Sequence, residues 1–241
     1  MSRTALGGAD YLARIHGTEE DKVNCKFYFK VGACRHGDSC SRQHNKPPFS
    51  QTLILPNLWS NPVLALTVLN IDVMSVDPSD VQQAYDDFYF EMFEKFTSYG
   101  KIDELQICEN HCEHMSGNVY VKFSDEEEAA TALEDLKGKF YDGKLLRVDF
   151  SNVSDFREAR CRQHDEAQCE RGPHCNFMHV KKISQPLEKY LLKKFNYGVS
   201  SSHSSNIRSG RDSVRGNRDR DNYRDRDNYR PRGNSRDRRG Y

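Results

Sequence analysis

Apolar residues between positions 50 and 150 fall into short blocks with two different periods. Leu53 to Trp59 is a brief, largely apolar run of strand length. From Asp80 to Tyr99 the apolar positions Ala84, Phe88, Met92, Phe96 and Tyr99 recur close to the helical period, and Gly100 supplies a stop. Ile102 to Cys108 and Asn118 to Phe123 alternate as half-buried strands do. Glu126 to Leu136 returns to the helical period through Ala129, Ala132, Leu133 and Leu136, and Leu145 to Phe150 reads as a last strand. The order strand, helix, strand, strand, helix, strand predicts an α+β, ferredoxin-like domain over residues 48–152, with spatial strand order 4-1-3-2. In that order the first and last strands are antiparallel neighbours, so the chain entering the first and the chain leaving the last emerge side by side.

The flanks of this domain are too short for cores of their own, and their chemistry explains how they fold. Cys25, Cys34, Cys40 and His44 follow Cys-x8-Cys-x5-Cys-x3-His, and Cys161, Cys169, Cys175 and His179 follow Cys-x7-Cys-x5-Cys-x3-His. Three thiolates and one imidazole fill a zinc tetrahedron and leave no open position, which is the structural type of site. Two Zn2+ ions are therefore expected, in fingers spanning 21–47 and 153–182, with Gly32, Gly37, Gly172 and Pro173 in the turns. A third cluster, Cys108, His111, Cys112 and His114, is cramped and interleaved with Glu109 and Glu113; it reads as an exposed connection between strands. No carboxylate pair or open ligand set points to an enzyme.

The formal net charge is zero, but its distribution is uneven. Residues 21–47 carry six Lys/Arg against two Asp/Glu, and 156–195 carry nine against five. The domain between, 48–155, carries seven against twenty. A polyanion is thus directed to the fingers and repelled by the middle. Residues 50–71 lack charge, but Pro56, Asn57, Ser60, Asn61, Pro62 and Asn70 argue against a membrane span. No secretory leader is visible at the N-terminus, so a reducing compartment is expected, with cysteines as thiols or metal ligands. Residues 1–20 form an N-terminal segment with an expected short helix, and 183–198 a C-terminal helix. Residues 199–241 are rich in Arg, Asp and Gly without apolar period, and disorder is expected there.

The middle domain resembles an RNA recognition motif, which stacks bases on aromatic rings of its central strands. Here Asn118 and Ile54 stand at ring positions, Ser116 stands where a basic residue is usual, and only Tyr120 remains aromatic. This domain is accordingly expected to bind protein. Asp87, Glu91 and Glu94, at i, i+4 and i+7, put carboxylates on one helix face for a basic peptide, and Lys139, Phe140 and Tyr141 precede an Asp142-Gly143 turn as aromatic anchors. RNA is assigned to the fingers: Phe27 and Phe177 for stacking, Arg35 and Arg162 directly after a ligand cysteine, and Ser41, Arg42, Gln163 and Arg171 as further donors.

The stretch Gly17 to Lys46, with Cys-Arg-His-Gly-Asp-Ser-Cys-Ser-Arg-Gln-His-Asn-Lys, and the segments Asp155-Phe-Arg-Glu-Ala159 and Cys175-Asn-Phe-Met-His179 closely resemble the small-subunit family of the U2 small nuclear ribonucleoprotein auxiliary factor (U2AF). The resemblance covers roughly residues 9–195 in one unbroken order. It implies a nuclear pre-mRNA splicing factor whose fingers recognise the AG of the 3′ splice site on single-stranded pre-mRNA. Its middle domain is then a U2AF homology motif gripping a tryptophan-bearing peptide of the large subunit, with the tail available to other splicing proteins. Two departures stand out. The family's Arg-Trp-Phe turn reads Lys139-Phe140-Tyr141 here, and Arg-Ser pairs of the tail give way to Arg-Asp and Arg-Gly. The competing classes are a finger protein binding AU-rich messages to control their decay, a metal-dependent nuclease and a protein scaffold; an intervening domain between the fingers speaks against the first.

Overall fold

The computed structural model describes residues 23–70, 72 and 76–198; the expectations for the N-terminal helix and the disordered tail lie outside them. In chain order, the first finger contains α1 (Lys26–Val31) and a 3-10 turn at Gly37–Ser39. The middle domain follows with β1 (Thr52–Leu55), α2 (Pro62–Val68), α3 (Pro78–Thr97), β2 (Ile102–Ile107), β3 (Val119–Phe123) and α4 (Glu126–Leu136). It closes with β4 (Phe140–Tyr141), β5 (Lys144–Leu145) and β6 (Asp149–Phe150). The second finger has α5 (Phe156–Ala159), α6 (Arg162–Asp165) and a 3-10 turn at Gly172–His174, and α7 (Gln185–Phe195) ends the described chain.

The sheet order is β2-β3-β1-β6, all antiparallel, as the split βαβ reading requires. On one face, Leu53, Leu55, Leu105, Ile107, Val121 and Phe123 pack against α3 and α4 in the main core. α3 starts with Asp77 as N-cap, its carboxylate accepting from Ser79 N–H, and Pro78 at the first position. Its buried stripe is Tyr85, Tyr89, Met92, Phe93 and Phe96, whereas Ala84 is exposed and Phe88 half-buried. The periodicity read from sequence is thus rotated in the first half of the helix, because three aromatic-rich turns leave several rings to choose from. α7 packs beside α3 through Phe93–Phe195 (5.2 Å) and Phe93–Tyr197 (4.7 Å). Tyr197 Oη accepts the Leu105 N–H at 2.8 Å, which satisfies a donor of edge strand β2.

Three sequence expectations change. The first strand stops at Leu55 because Pro56 has no N–H and Asn57 adopts φ 53°, its side chain donating to the Glu113 and Ser116 carbonyls. Leu58 and Trp59 are nonetheless buried in the main core. The last strand is split: Lys144–Leu145 pairs with Phe140–Tyr141 in a hairpin, and only Asp149–Phe150 joins β1. Asp142 and Gly143 both have positive φ (47° and 71°), the requirement of a two-residue hairpin turn. α2, capped by Asn61, was hidden in the uncharged stretch because seven residues carry too little periodicity. No helix among the described residues is long and apolar enough to cross a membrane.

The other sheet face is covered as well. Ile54, Cys108 and Tyr120 form a second cluster with Val31 of the first finger and Phe156, Ala159, Met178 and Val180 of the second. Both fingers therefore sit on the face that an RNA recognition motif ordinarily leaves open.

Candidate zinc centres and nucleic-acid interface

Each finger is built on the same plan. Cys25 N–H donates to Gln43 O at 2.9 Å, and Cys161 N–H donates to Met178 O at 2.9 Å, so the first ligand of each is tied to the residue before the last. The 3-10 turns deliver the third cysteines, Cys40 and Cys175. Among the described residues, Cys25, Cys34, Cys40 and His44 form one group and Cys161, Cys169, Cys175 and His179 another, with ligand atoms all within 4.8 Å of one another. Sulfur separations are 3.8 Å for Cys34–Cys40, 3.7 Å for Cys161–Cys169 and 3.8 Å for Cys161–Cys175. A tetrahedron with Zn–S bonds of about 2.3 Å has edges of about 3.8 Å, so the spacing is that of ligands around one ion.

The imidazoles supply an independent test. Nε2 of His44 and of His179 are buried with no hydrogen-bond partner, which would be costly for an idle ring and is the state of a metal-ligating nitrogen. Burial holds His179 down at about 4, keeping it neutral as ligation requires, and burial pushes the Cys34 and Cys161 thiols up, leaving a need for a cation to draw off their protons. Each ligand histidine is stacked on a ring three residues after the first cysteine: Tyr28 on His44 (4.4 Å, 7°) and His164 on His179 (4.0 Å, 5°). Backbone N–H groups of His36 and Phe177 point to Cys34 Sγ and Cys175 Sγ at 3.5 Å, moderating thiolate charge from outside.

The sheet fixes both fingers by specific bonds. Tyr120 Oη donates to Val31 O at 2.8 Å, and Asn152 Nδ2 to Asn45 O at 2.7 Å, on the first finger. Residues Cys108 to Cys112 hold the second, and are not the exposed connection read from sequence. Cys108 is fully buried and bridged to Val180; Asn110 Nδ2 donates to Cys175 O and Phe177 O at 3.0 Å, while its Oδ1 accepts His179 N–H at 2.8 Å. Burial pushes the Cys108 thiol well up, and this cluster makes no ligand group among the described residues. Its Cys and His spacing suggested surface chemistry, whereas the asparagine between them does the docking.

The fingers also touch each other. Phe27 and Phe177 meet edge to face at 5.8 Å, and Lys30 pairs with Glu158 at 3.2 Å. Arg35, Ser41, Arg162 and Gln163 are exposed, Arg42 is half-buried, and Phe27 keeps 40% of its surface exposed. Arg171 differs: its guanidinium lies 4.0 Å from Cys175 Sγ, where it offsets sulfur charge. On the opposite side of the sheet a groove of about 450 Å3 runs between α3 and the β4–β5 hairpin, lined among others by Glu91, Glu94, Lys139, Phe140 and Tyr141 over a floor of Met92, Phe96, Leu136 and Leu146. Tyr141 Oη donates to Glu91 at 2.7 Å, and burial together with Glu91 pushes its phenol up. Lys139 is held by Asp135 at 2.7 Å, and Phe140 is 69% exposed. Asp87 is not brought to this groove; it lies with Asp86, Phe90 and Tyr190 in a separate cleft against α7.

Residues 90–147 match the RNA recognition motif family, and residues 20–46 match the zinc finger C-x8-C-x5-C-x3-H type (and similar) family. The chain is 47% identical over 202 residues to splicing factor U2AF 26 kDa subunit of Rattus norvegicus, which covers 83% of this chain and 90% of that protein. The chain belongs to the U2AF small-subunit family. Two splicing factor U2af small subunits of Arabidopsis thaliana are 49% and 48% identical over 187 residues, or 78% of this chain and 66% and 63% of the plant proteins. Splicing factor U2AF 26 kDa subunit of Homo sapiens is 48% identical over 184 residues, 76% of this chain and 84% of that one. The chain thus spans just under two thirds of the length of these plant relatives and most of the length of the mammalian ones. Tyr28 stacked on His44, His164 stacked on His179 and the docking Asn110 lie outside the residues that ligand spacing singles out. The shared offset of Tyr28 and His164 from the first cysteine was the available signal.

Proposed function

We propose that this chain is a nuclear pre-mRNA splicing factor, the small subunit of a U2AF-type heterodimer, and not an enzyme. Its two zinc-loaded fingers form one surface for single-stranded RNA carrying the AG of a 3′ splice site, through Phe27, Arg35, Ser41, Arg42, Arg162, Gln163 and Phe177, with Arg171 tuning the second centre. The observation that carries this reading is the direct junction of the fingers, Phe27 against Phe177 at 5.8 Å, although 116 residues lie between His44 and Cys161. Stacking on aromatic rings is worth about 1–3 kcal/mol per base, so a surface of this size holds a few nucleotides weakly. Tethering to a second RNA-binding protein raises the effective concentration and supplies the remaining affinity.

The groove between α3 and the hairpin is the proposed seat of the large subunit's tryptophan-bearing peptide. Its apolar floor takes the indole, and Glu91 and Glu94 take basic residues beside it. Residues 21–47, 48–152 and 153–182 then act as finger, partner-binding domain and finger. Crosslink mapping of RNA bound to the tagged chain tests the assignment: signal at intron 3′ ends with co-purification of a large subunit is expected. Signal on AU-rich message ends with deadenylases would instead support the decay reading.

A further inference from the structure

The hairpin that walls the partner groove has a second groove on its other side. Pro56 and Asn57 form one wall and Lys144, Leu145 and Arg147 the other, enclosing about 460 Å3. The two grooves adjoin, since Leu55, Leu58 and Leu146 line both. Their rims differ in charge. Glu91 and Glu94 stand at the first beside Lys95 and Lys139, both of which pair with Asp135, whereas Lys144 and Arg147 stand at the second, both exposed. Among the described residues neither cation has a carboxylate within ion-pair distance, and Lys144 Nζ is instead held by Ser60 Oγ at 2.7 Å. Leu145 between them leaves 56% of its surface exposed. A pair of uncompensated cations flanking an exposed leucine, beside an apolar floor, is arranged for an anionic ligand with an apolar part.

From this we infer that the segment bound here is bipolar: a basic stretch lies against Glu91 and Glu94, an apolar anchor crosses the shared floor, and an acidic stretch ends against Lys144 and Arg147. The inference deepens the partner assignment above and rests on it. A peptide is the occupant rather than RNA for two reasons on the molecule itself. No aromatic ring lines the second groove, so a base finds nothing to stack on. Its floor residues Leu55, Leu58 and Leu146 also belong to the core on the helical side of the sheet, whereas the fingers belong to the cluster on the other face.

The test is calorimetric titration of the zinc-loaded full chain with synthetic peptides holding an arginine-rich stretch, one tryptophan and a flank of either glutamates or glutamines, made in both chain orders. In one order the glutamate peptide should bind about 3- to 10-fold tighter than its glutamine counterpart at low salt, the range expected of two exposed ion pairs. The gap should narrow as salt is raised. The double variant Lys144→Gln, Arg147→Gln should abolish the gap and leave the glutamine peptide's affinity unchanged; both residues are exposed, so folding is not at issue. Equal binding of both peptides by the unaltered chain, or a gap that survives in the double variant, overturns the inference while leaving the partner groove standing. Failure of every peptide to bind overturns the groove assignment and this inference together. If the double variant loses affinity for a short AG-containing RNA while peptide binding holds, the cations serve nucleic acid and the inference is wrong.

Discussion

Phe140 and Tyr141 are adjacent in the hairpin and have opposite fates. Tyr141 turns inward, edge-on to Phe88 at 6.0 Å and bonded to Glu91, so it shapes the groove wall. Phe140 stands 69% exposed at the lip, the position that carries tryptophan in the family's usual turn. Phe140→Trp should therefore tighten binding of a large-subunit peptide: some 40–50 Å² more apolar ring covered is worth about 1 kcal/mol, or roughly fivefold. Titration of the variant checks it, and unchanged affinity would place Phe140 outside the interface. Tyr141→Phe removes one hydrogen bond at a half-exposed site and should cost about 0.5–1.5 kcal/mol of stability, read by chemical denaturation, while leaving Glu91 free for a basic partner residue. Gly117 admits no such tolerance. Its φ is +63°, and an added Cβ would sit 2.0 Å from the Trp59 carbonyl oxygen. Gly117→Ala should destabilise the domain by about 3 kcal/mol or more, read by chemical denaturation.

At the level of elements, the middle domain was legible because each strand and helix carries its own period, and α4 and β2 fall within a residue of where that period put them. The breaks were harder to see. Ending β1 at Leu55 depends on Asn57 finding carbonyls across the fold, and dividing the last strand depends on a two-residue turn that only the paired hairpin makes evident. The two Cys3His groups that the structure draws together follow the spacing in the sequence. The fingers' attachments were not legible there, because they join residues such as Asn110 and Cys175, whose 65-residue separation no local pattern encodes. That attachment has a measurable consequence. Asn110→Ala would leave the Phe177 carbonyl and the His179 N–H unpaired and Cys175 O with only the weak Cys112 thiol donor, at a cost on the order of 3 kcal/mol. Zinc release from the second finger, followed with a chromogenic chelator, should quicken while release from the first stays the same; equal rates at both sites would contradict the docking role. Tyr120→Phe makes the converse case, loosening the first finger by taking the hydroxyl from Val31 O.

Across the whole molecule, the ancestral logic of the sheet is turned around. A face that elsewhere stacks bases is here sealed by Val31, Phe156 and Met178, with Tyr120 at 0% exposure, and the proposed RNA surface lies on the lobes that seal it. The missing strand aromatics and the acidic middle domain follow from that exchange. The charge map agrees for the first finger, where residues 21–47 carry six Lys/Arg against two Asp/Glu; the second, 153–182, carries six against five, and the rest of the basic excess of 156–195 belongs to α7 on the helical side. Elemental analysis should find two zinc ions per chain, and three would revive the Cys108 to His114 cluster as a site. The most direct measurement is a double-mutant cycle on RNA affinity, with Arg35→Ala in one finger and Arg162→Ala in the other, titrated against a short AG-containing RNA in the presence of the large subunit. Each variant should weaken binding severalfold, and the two losses should add in free energy, because separated contacts on both lobes hold one ligand. A second finger that can be altered with no loss of affinity would contradict a shared surface.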